Sequence, residues 1–333
     1  MTSSTSSPSG ISPAAIVRVD SVAAIPPPAH AVVDVAILDM NHGFPNIGHD
    51  AIVDAISTVA RDLRATLDAG GRSLRIVSLA VRDKHVVPAA GRFGLLVGTG
   101  GPGHIDPNLN TAEGEDTIIE DGRWERPLHA LFDAAIADER VAILGVCHTY
   151  GILCRWAGIA DPILRDRVTG GKSIGVRMTR LTDASLAHPW FEQMVRALDG
   201  RRTFPVVDSR YYDLVPRPGD LPSRMSALGY EAATGDLPAK ALTMVEFART
   251  ADGTTPRIFG VNHHPEVASS DDLERTLDEK LAIGEISATV HESRSSILAE
   301  LRRPESDERA RLIGSAYTFT NLIRYHVERL IAA

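Results

Sequence analysis

The strongest constraint on this chain is an alternation of short, buried strands with amphipathic helices through its first half. Val32-Val33-Asp34-Val35-Ala36-Ile37-Leu38 is a β-branched, apolar run of the kind that is covered on both faces of a parallel sheet. It stops at Asp39-Met40-Asn41-His42-Gly43, a polar turn containing glycine. Between Asp50 and Leu67, the residues Ile52, Ile56, Val59, Leu63 and Leu67 recur at spacings of three and four. That spacing predicts an amphipathic helix, closed by Gly70-Gly71. Further strands are predicted over Leu74–Val81, Phe93–Val97 and Val141–Val146, with a helix over Pro127–Ala137 before the last. A series of this kind folds as an α/β unit: a mostly parallel central sheet flanked by helices. Ligands of such sheets bind beyond the carboxyl ends of the strands, so the residues just after each strand carry the functional information.

Later segments, Thr203–Val207, Tyr212–Val215, Ala241–Phe247 and Arg257–Val261, read as strands separated by turn residues. They continue the sheet as an antiparallel or mixed portion. Beyond Val267 the pattern turns helical, with Leu312, Ala316, Phe319, Ile323, Val327 and Leu330 forming a stripe. Such an extension either packs on the core or makes a homo-oligomer contact, and core packing is the simpler expectation. Residues 1–30 are rich in Ser, Pro and Ala and end in Pro26-Pro27-Pro28, a composition expected of a disordered tail. The expected division is therefore a tail at 1–30, an α/β domain over 31–268 and a helical extension over 269–333.

Composition removes several function classes. Of 333 residues, 35 are Lys or Arg and 43 are Asp or Glu, a formal charge of −8. That balance argues against a general nucleic-acid binder or an anionic-membrane binder. No apolar run reaches the length of a membrane span, and the N-terminus lacks the basic and apolar regions of a secretory signal, so a cytoplasmic enzyme is expected. The two cysteines, Cys147 and Cys154, cannot build a disulfide framework. On one helix, seven residues apart, they would be separated by a rise of about 10 Å, too far for the Cα spacing of about 7 Å that a bridge tolerates.

Gly145-Val146-Cys147 ends the strand before a helix predicted over His148–Trp156. A thiol on that turn stands above the sheet edge, where backbone N–H groups and a helix N-terminus lower its pKa and stabilise an oxyanion. Cys154 has the setting of a packing residue. The strand at Phe93–Val97 runs into Gly98-Thr99-Gly100-Gly101-Pro102-Gly103, whose bare backbone offers N–H donors. It lacks the Lys-Ser/Thr ending of a P-loop, so an oxyanion hole fits it better than a phosphate. Asn262-His263-His264-Pro265-Glu266 follows the last strand. In an extended segment His264 and Glu266 project to one side, so the carboxylate can orient the imidazole. No third ligand sits at a metal-like spacing, and neither metal nor cofactor is expected.

Together these motifs resemble the class I glutamine amidotransferase family, whose members carry an S-G-G-P-G-like turn, a G-x-C-x-G-x-Q nucleophile turn and a late H-P-E. Here they read Gly100-Gly101-Pro102-Gly103, Gly145-Val146-Cys147 and His264-Pro265-Glu266. Gly175, Leu181-Thr182 and His188-Pro189-Trp190-Phe191 are similar to the family's middle section, and Ser209-Arg210-Tyr211-Tyr212-Asp213 to its Ser-His-x-Asp-like segment. The resemblance covers about residues 32–268. It implies Cys147 as nucleophile, His264 as base, Glu266 as orienter, and an oxyanion hole from the N–H of His148 with that of Gly100 or Gly101. It further implies hydrolysis of a carboxamide, glutamine above all, through a thioester, with ammonia delivered to a separate synthetase partner.

The departures lie around the pocket. The family's Gly two residues after the nucleophile is Thr149, and its Gln four residues after, which helps to hold glutamine, is Gly151. Tyr211 replaces a frequent histidine, and His263 adds one beside the base. Thr149, Tyr150, Gly151, Arg210, Tyr211, Tyr212 and His263 are thus the candidate substrate-binding set. The departures leave open a related cysteine hydrolase or an acyl or γ-glutamyl transferase acting on another donor. Cys147-His148 is also similar to the C-H-G turn of the DJ-1/PfpI group, although the glutamate that group carries after its first strand is absent. A non-catalytic scaffold is the remaining alternative.

Overall fold

The computed structural model describes residues 14–44, 46–110, 118–165, 173–219, 221–232, 241–267 and 307–333, with parts of 271–302. Among these residues ten strands form one sheet. In chain order they are β1 (Ala14–Val19), β2 (Val32–Asp39), β3 (Ser73–Ala80), β4 (Leu95–Gly98), β5 (Ala142–Val146), β7 (Ser173–Leu181), β8 (Thr203–Arg210), β10 (Ser226–Glu231), β11 (Leu242–Arg249) and β12 (Pro256–Val261). Their spatial order is β1-β3-β2-β4-β5-β12-β11-β10-β7-β8, while β6 (Ala160–Leu164) and β9 (Tyr212–Pro216) pair separately. Contacts from β1 through β12 are parallel and those from β12 through β8 antiparallel. The α/β expectation and its antiparallel continuation are both found.

Alternation explains the layering. Val35, Ile37, Leu95 and Val97 face a core built with Ile52, Ile56 and Val59 of helix α1 (Ile47–Asp62). Ala36, Leu38 and Leu96 point the other way, to Leu128 and Phe132 of a helix at Glu125–Ala137 and to Ile152 and Leu153 of a helix at His148–Ala157. The C-terminal helix, Asn321–Ala332, buries Leu322, Ile323 and Val327 in the α1 side of the core. At about 1.5–3 kcal/mol for each fully buried large aliphatic side chain, this burial makes that helix part of the α/β body.

One expectation is corrected. Ala14–Val19 is a parallel edge strand, in register from Ala14 opposite Leu74 to Val19 opposite Leu79, so the tail cannot run to residue 30. Only Ala14 and Val19 of this strand are buried, which is why its sequence lacks a strong pattern. The segment after it is held by arginines: Arg75 donates to Pro27 O, and Arg92 to Pro26 O, while both pair with Asp34. Residues 1–13 lie outside the described part. Strands β6, β7 and β10 were not anticipated, since Ala160–Leu164 and Ser226–Glu231 contain prolines, glycines or exposed positions that weaken a strand pattern.

Candidate active site

Cys147 is the hinge between β5 and the helix His148–Ala157, with φ 46° and ψ −98°. A non-glycine residue in such a region costs about 1–3 kcal/mol and persists only where its surroundings impose it. They do so here. Cys147 N donates to Val261 O at 2.8 Å, and Gly151 N donates to Cys147 O at 2.9 Å. Thr149 fastens the turn to the neighbouring strand end, its Oγ1 donating to Thr99 O at 2.8 Å. The threonine fits because Gly98 lies beneath it; a Cβ there would come within 2.3 Å of Thr149 Cγ2. Cys147 is half-buried, whereas Cys154 is enclosed and burial pushes its thiol pKa up.

The loop after β12 brings the second group. His264 N donates to Val207 O at 2.8 Å, and its Nδ1 lies 2.8 Å from Glu266 Oε1. The Glu266 side chain is fully buried, and Gly48 makes room for it in the first turn of α1, where a Cβ would be 2.8 Å from Oε1. Asn46 caps that turn, its Oδ1 accepting from Gly48 N at 2.6 Å and His49 N at 3.3 Å. A helix N-terminus is a favourable place for a carboxylate. Burial would lower the His264 pKa, but the charges of Glu266 and Cys147 outweigh it and hold the imidazole well above its usual value. Nε2 is buried without a hydrogen bond of normal geometry, so its coupling to Cys147 is chiefly electrostatic. Ser315 Oγ donates to Pro265 O, tying this loop to the C-terminal helices.

The glycine-rich turn completes the cluster. A Cβ on Gly100 would stand 2.9 Å from His264 Cε1 and 3.6 Å from Cys147 Cβ, so all three meet only because this residue has no side chain. Gly101 is pressed against Met40 O, where a Cβ would approach to 2.3 Å. The turn is pinned from below by Arg82, whose Nη1 donates to Met40 O at 3.0 Å and Pro102 O at 2.7 Å. Arg82 itself is buried against Glu120 at 2.5 Å, and Glu120 also accepts from Trp124 Nε1 at 2.8 Å and Asn110 Nδ2 at 2.5 Å. None of Arg82, Glu120, Asn46 or Gly48 was singled out from the sequence. A buried arginine leaves no local signal, although Asn46 preceding a helix is a recognisable cap.

The remaining candidates divide. His148 follows Cys147 and is buried; burial, then the charges of Arg82 and His104, push its pKa well below the usual value. Tyr150 is enclosed and donates to Leu242 O at 3.0 Å. Gly151 is covered by Ile105, whose Cδ1 would lie 2.4 Å from a Cβ there. Arg210 is committed to Asp208 at 2.5 Å, Asp213 at 3.0 Å and Glu231 at 2.6 Å. Tyr211 gives its carbonyl to Arg165 N at 2.8 Å, and Tyr212 packs edge-on to His104 with ring centres 4.6 Å apart. His263 is enclosed against Phe204, and burial lowers its pKa to about 3. Cys147, His264, Glu266 and Gly100 thus converge, with Gly101 and His148 next in chain. Thr149, Tyr150 and Arg210 are used up in internal contacts. No group of three or more His, Cys, Asp or Glu side chains able to hold a metal occurs among the described residues.

No protein-family model and no curated protein matches the chain. Among solved structures it is similar to a glutamine amidotransferase from Thermotoga maritima, at 13% identity over 92% of this chain and 100% of that one, with a TM-score of 0.47. A glutamine amidotransferase from Methylobacillus flagellatus is 14% identical over 90% and 95%, with a TM-score of 0.47. The glutaminase domain of a CTP synthase from Trypanosoma brucei, solved with bound acivicin, is 8% identical over 70% and 86%, with a TM-score of 0.42. Likenesses at these values assign no activity to this chain.

Proposed function

We propose that the chain is a cysteine-dependent carboxamide hydrolase of the glutamine amidotransferase type. The observation that carries this reading is the buried Glu266–His264 pair at 2.8 Å, coupled to a cysteine in a strained strand-to-helix turn. The Cys147 thiolate adds to the amide carbon, and the oxyanion is taken by the N–H of His148 with that of Gly100 or Gly101. The His264 imidazolium gives its proton to the leaving nitrogen, releasing ammonia and a thioester. Water then attacks the thioester as His264 accepts its proton, so amide plus water become acid plus ammonia. With glutamine the acid is glutamate, and the ammonia is available to a separate synthetase partner. His264 is favoured over His148 as the partner of the thiolate, because the environment of His148 disfavours its charged form. The test is ammonia release from glutamine and other carboxamides by wild type and Cys147→Ala; release that survives the substitution refutes the assignment.

A second reading keeps the covalent chemistry and changes the acyl donor. Ile105 covers Gly151, the position from which the resembling family's glutamine side chain reaches its substrate, so that contact is replaced by an apolar surface. A thioester on Cys147 from a non-glutamine amide, seen by intact-protein mass spectrometry, with none from glutamine, would select this reading.

A further inference from the structure

An open pocket lies at the opposite end of the sheet from Cys147. A cavity of about 500 Å³ opens there, bounded by Arg224, Arg249 and Arg257, by the hydroxyl residues Ser223 and Ser226, and by Ile136. Among the described residues no carboxylate lines it, although acidic residues outnumber basic ones in the chain as a whole. Arg257 is the second residue of β12, and four residues on Val261 accepts the Cys147 N–H, so the pocket and Cys147 are separated by roughly 13 Å of strand.

The three arginines differ in how they are held. Arg257 is buried and immobilised: its Nη1 donates to the carbonyls of Ala135 at 2.6 Å, Asp138 at 3.0 Å and Val141 at 2.9 Å. Its Nη2 donates to Ile136 O at 3.1 Å and its Nε to Arg249 O at 3.2 Å. These partners are carbonyl dipoles, and the nearby Asp138 is itself paired with Arg140 at 2.9 Å. Arg257 therefore places a fixed positive charge in the cavity wall without a carboxylate in contact. Arg249 spends only Nε on a carboxylate, Glu246 at 2.6 Å, leaving both terminal nitrogens as donors. Glu246 is shared, since it also binds His188 Nε2 at 2.9 Å. Arg224 is exposed and makes no ion pair among the described residues.

We propose that this cavity binds a phosphate-bearing small molecule, with Arg249 and Arg224 as the hydrogen-bonding forks and Arg257 as a fixed counter-charge. Planar guanidinium groups match phosphate oxygens in pairs, and serine hydroxyls supply further donors of the right kind. The volume lies in the range of small-ligand sites, about 300–1,000 Å³, so it accommodates a molecule of nucleotide size as well as pyrophosphate.

The experiment is calorimetric titration of the full chain with pyrophosphate and, separately, with ATP, at constant ionic strength. Saturable binding is expected, weakened at least about tenfold in Arg224→Ala and more in Arg224→Ala/Arg249→Ala, a tenfold change being about 1.4 kcal/mol. Arg217→Ala, which removes an exposed arginine paired with Asp161, should bind as wild type does. The unliganded melting temperature of each variant shows whether it is folded, and Arg224→Ala leaves the Arg249–Glu246 contact intact. Absence of saturable binding to either probe at millimolar concentration overturns the proposal. So does unchanged affinity in the folded double variant, or an equal response to sodium chloride at matched ionic strength.

Discussion

Glu266 reaches His264 from a seat at the start of α1, two residues past its Asn46 cap, so a helix belonging to the first quarter of the chain supports a carboxylate from the last third. Removing that charge while keeping the shape should expose its role. Glu266→Gln is expected to lower kcat by about 10²–10⁴-fold, the scale seen when a triad's acidic member is neutralised. The His264 pKa is raised in the wild type, so the imidazolium persists to higher pH; in the variant the corresponding limb of the pH–rate profile should move toward acid. A profile that stays in place would refute the coupling.

The same shift has a stability sign. A group whose pKa is raised on folding stabilises the protein fully below its unfolded value, about 6.5 for histidine, and loses that contribution as pH rises through the folded value. Wild type should therefore lose more stability than Glu266→Gln between pH 6 and the alkaline limb, measured as urea midpoints. Parallel curves would argue against it.

Cys147 holds a positive φ that glycine tolerates and alanine does not. Cys147→Gly and Cys147→Ala should both be inactive, with the glycine variant more stable by about 1 kcal/mol, the lower end of what such a backbone costs. Equal melting temperatures would mean that the turn is not strained.

Gly100→Ala adds one methyl at 2.9 Å from His264 Cε1. Displacement of a reacting group by a fraction of an ångström to an ångström is expected to cost about 10–100-fold in kcat with little change in the melting temperature. Activity close to wild type would show that the loop after β12 yields freely.

Arg82 and Glu120 form a pair with 0% and 2% side-chain exposure, beneath the glycine-rich turn. Arg82→Met alone leaves a buried carboxylate and should destabilise by about 3–5 kcal/mol, whereas Arg82→Met/Glu120→Gln should recover part of that loss. Because Arg82 also holds Met40 O and Pro102 O, the double variant should stay impaired in kcat even where stability returns. Full recovery of both would reduce Arg82 to a packing role.

Much of this protein was legible in one dimension. Periodicity located β2, β3, β4, β5 and the two long helices among them, at Ile47–Asp62 and Glu125–Ala137, because a strand buried on both faces and a helix buried on one leave local patterns. Cys147 and the His264–Glu266 pair were candidates because they stand in turns directly after such strands, and the roles assigned to them came from the resemblance in their motifs. Distance was not legible. That Gly98 admits Thr149, that Gly100 lets Cys147 and His264 meet, and that Ile105 covers Gly151 are facts about residues far apart in sequence brought to within van der Waals contact. Arg210 carried a family-like position but is surrounded by Asp208, Asp213 and Glu231 from three strands, a neutralisation only the folded sheet creates. The sequence by itself determined the layers and named the candidate side chains, because burial and turn chemistry act locally. Which charges are free to meet a ligand was decided by tertiary structure, because electrostatics and sterics act through space.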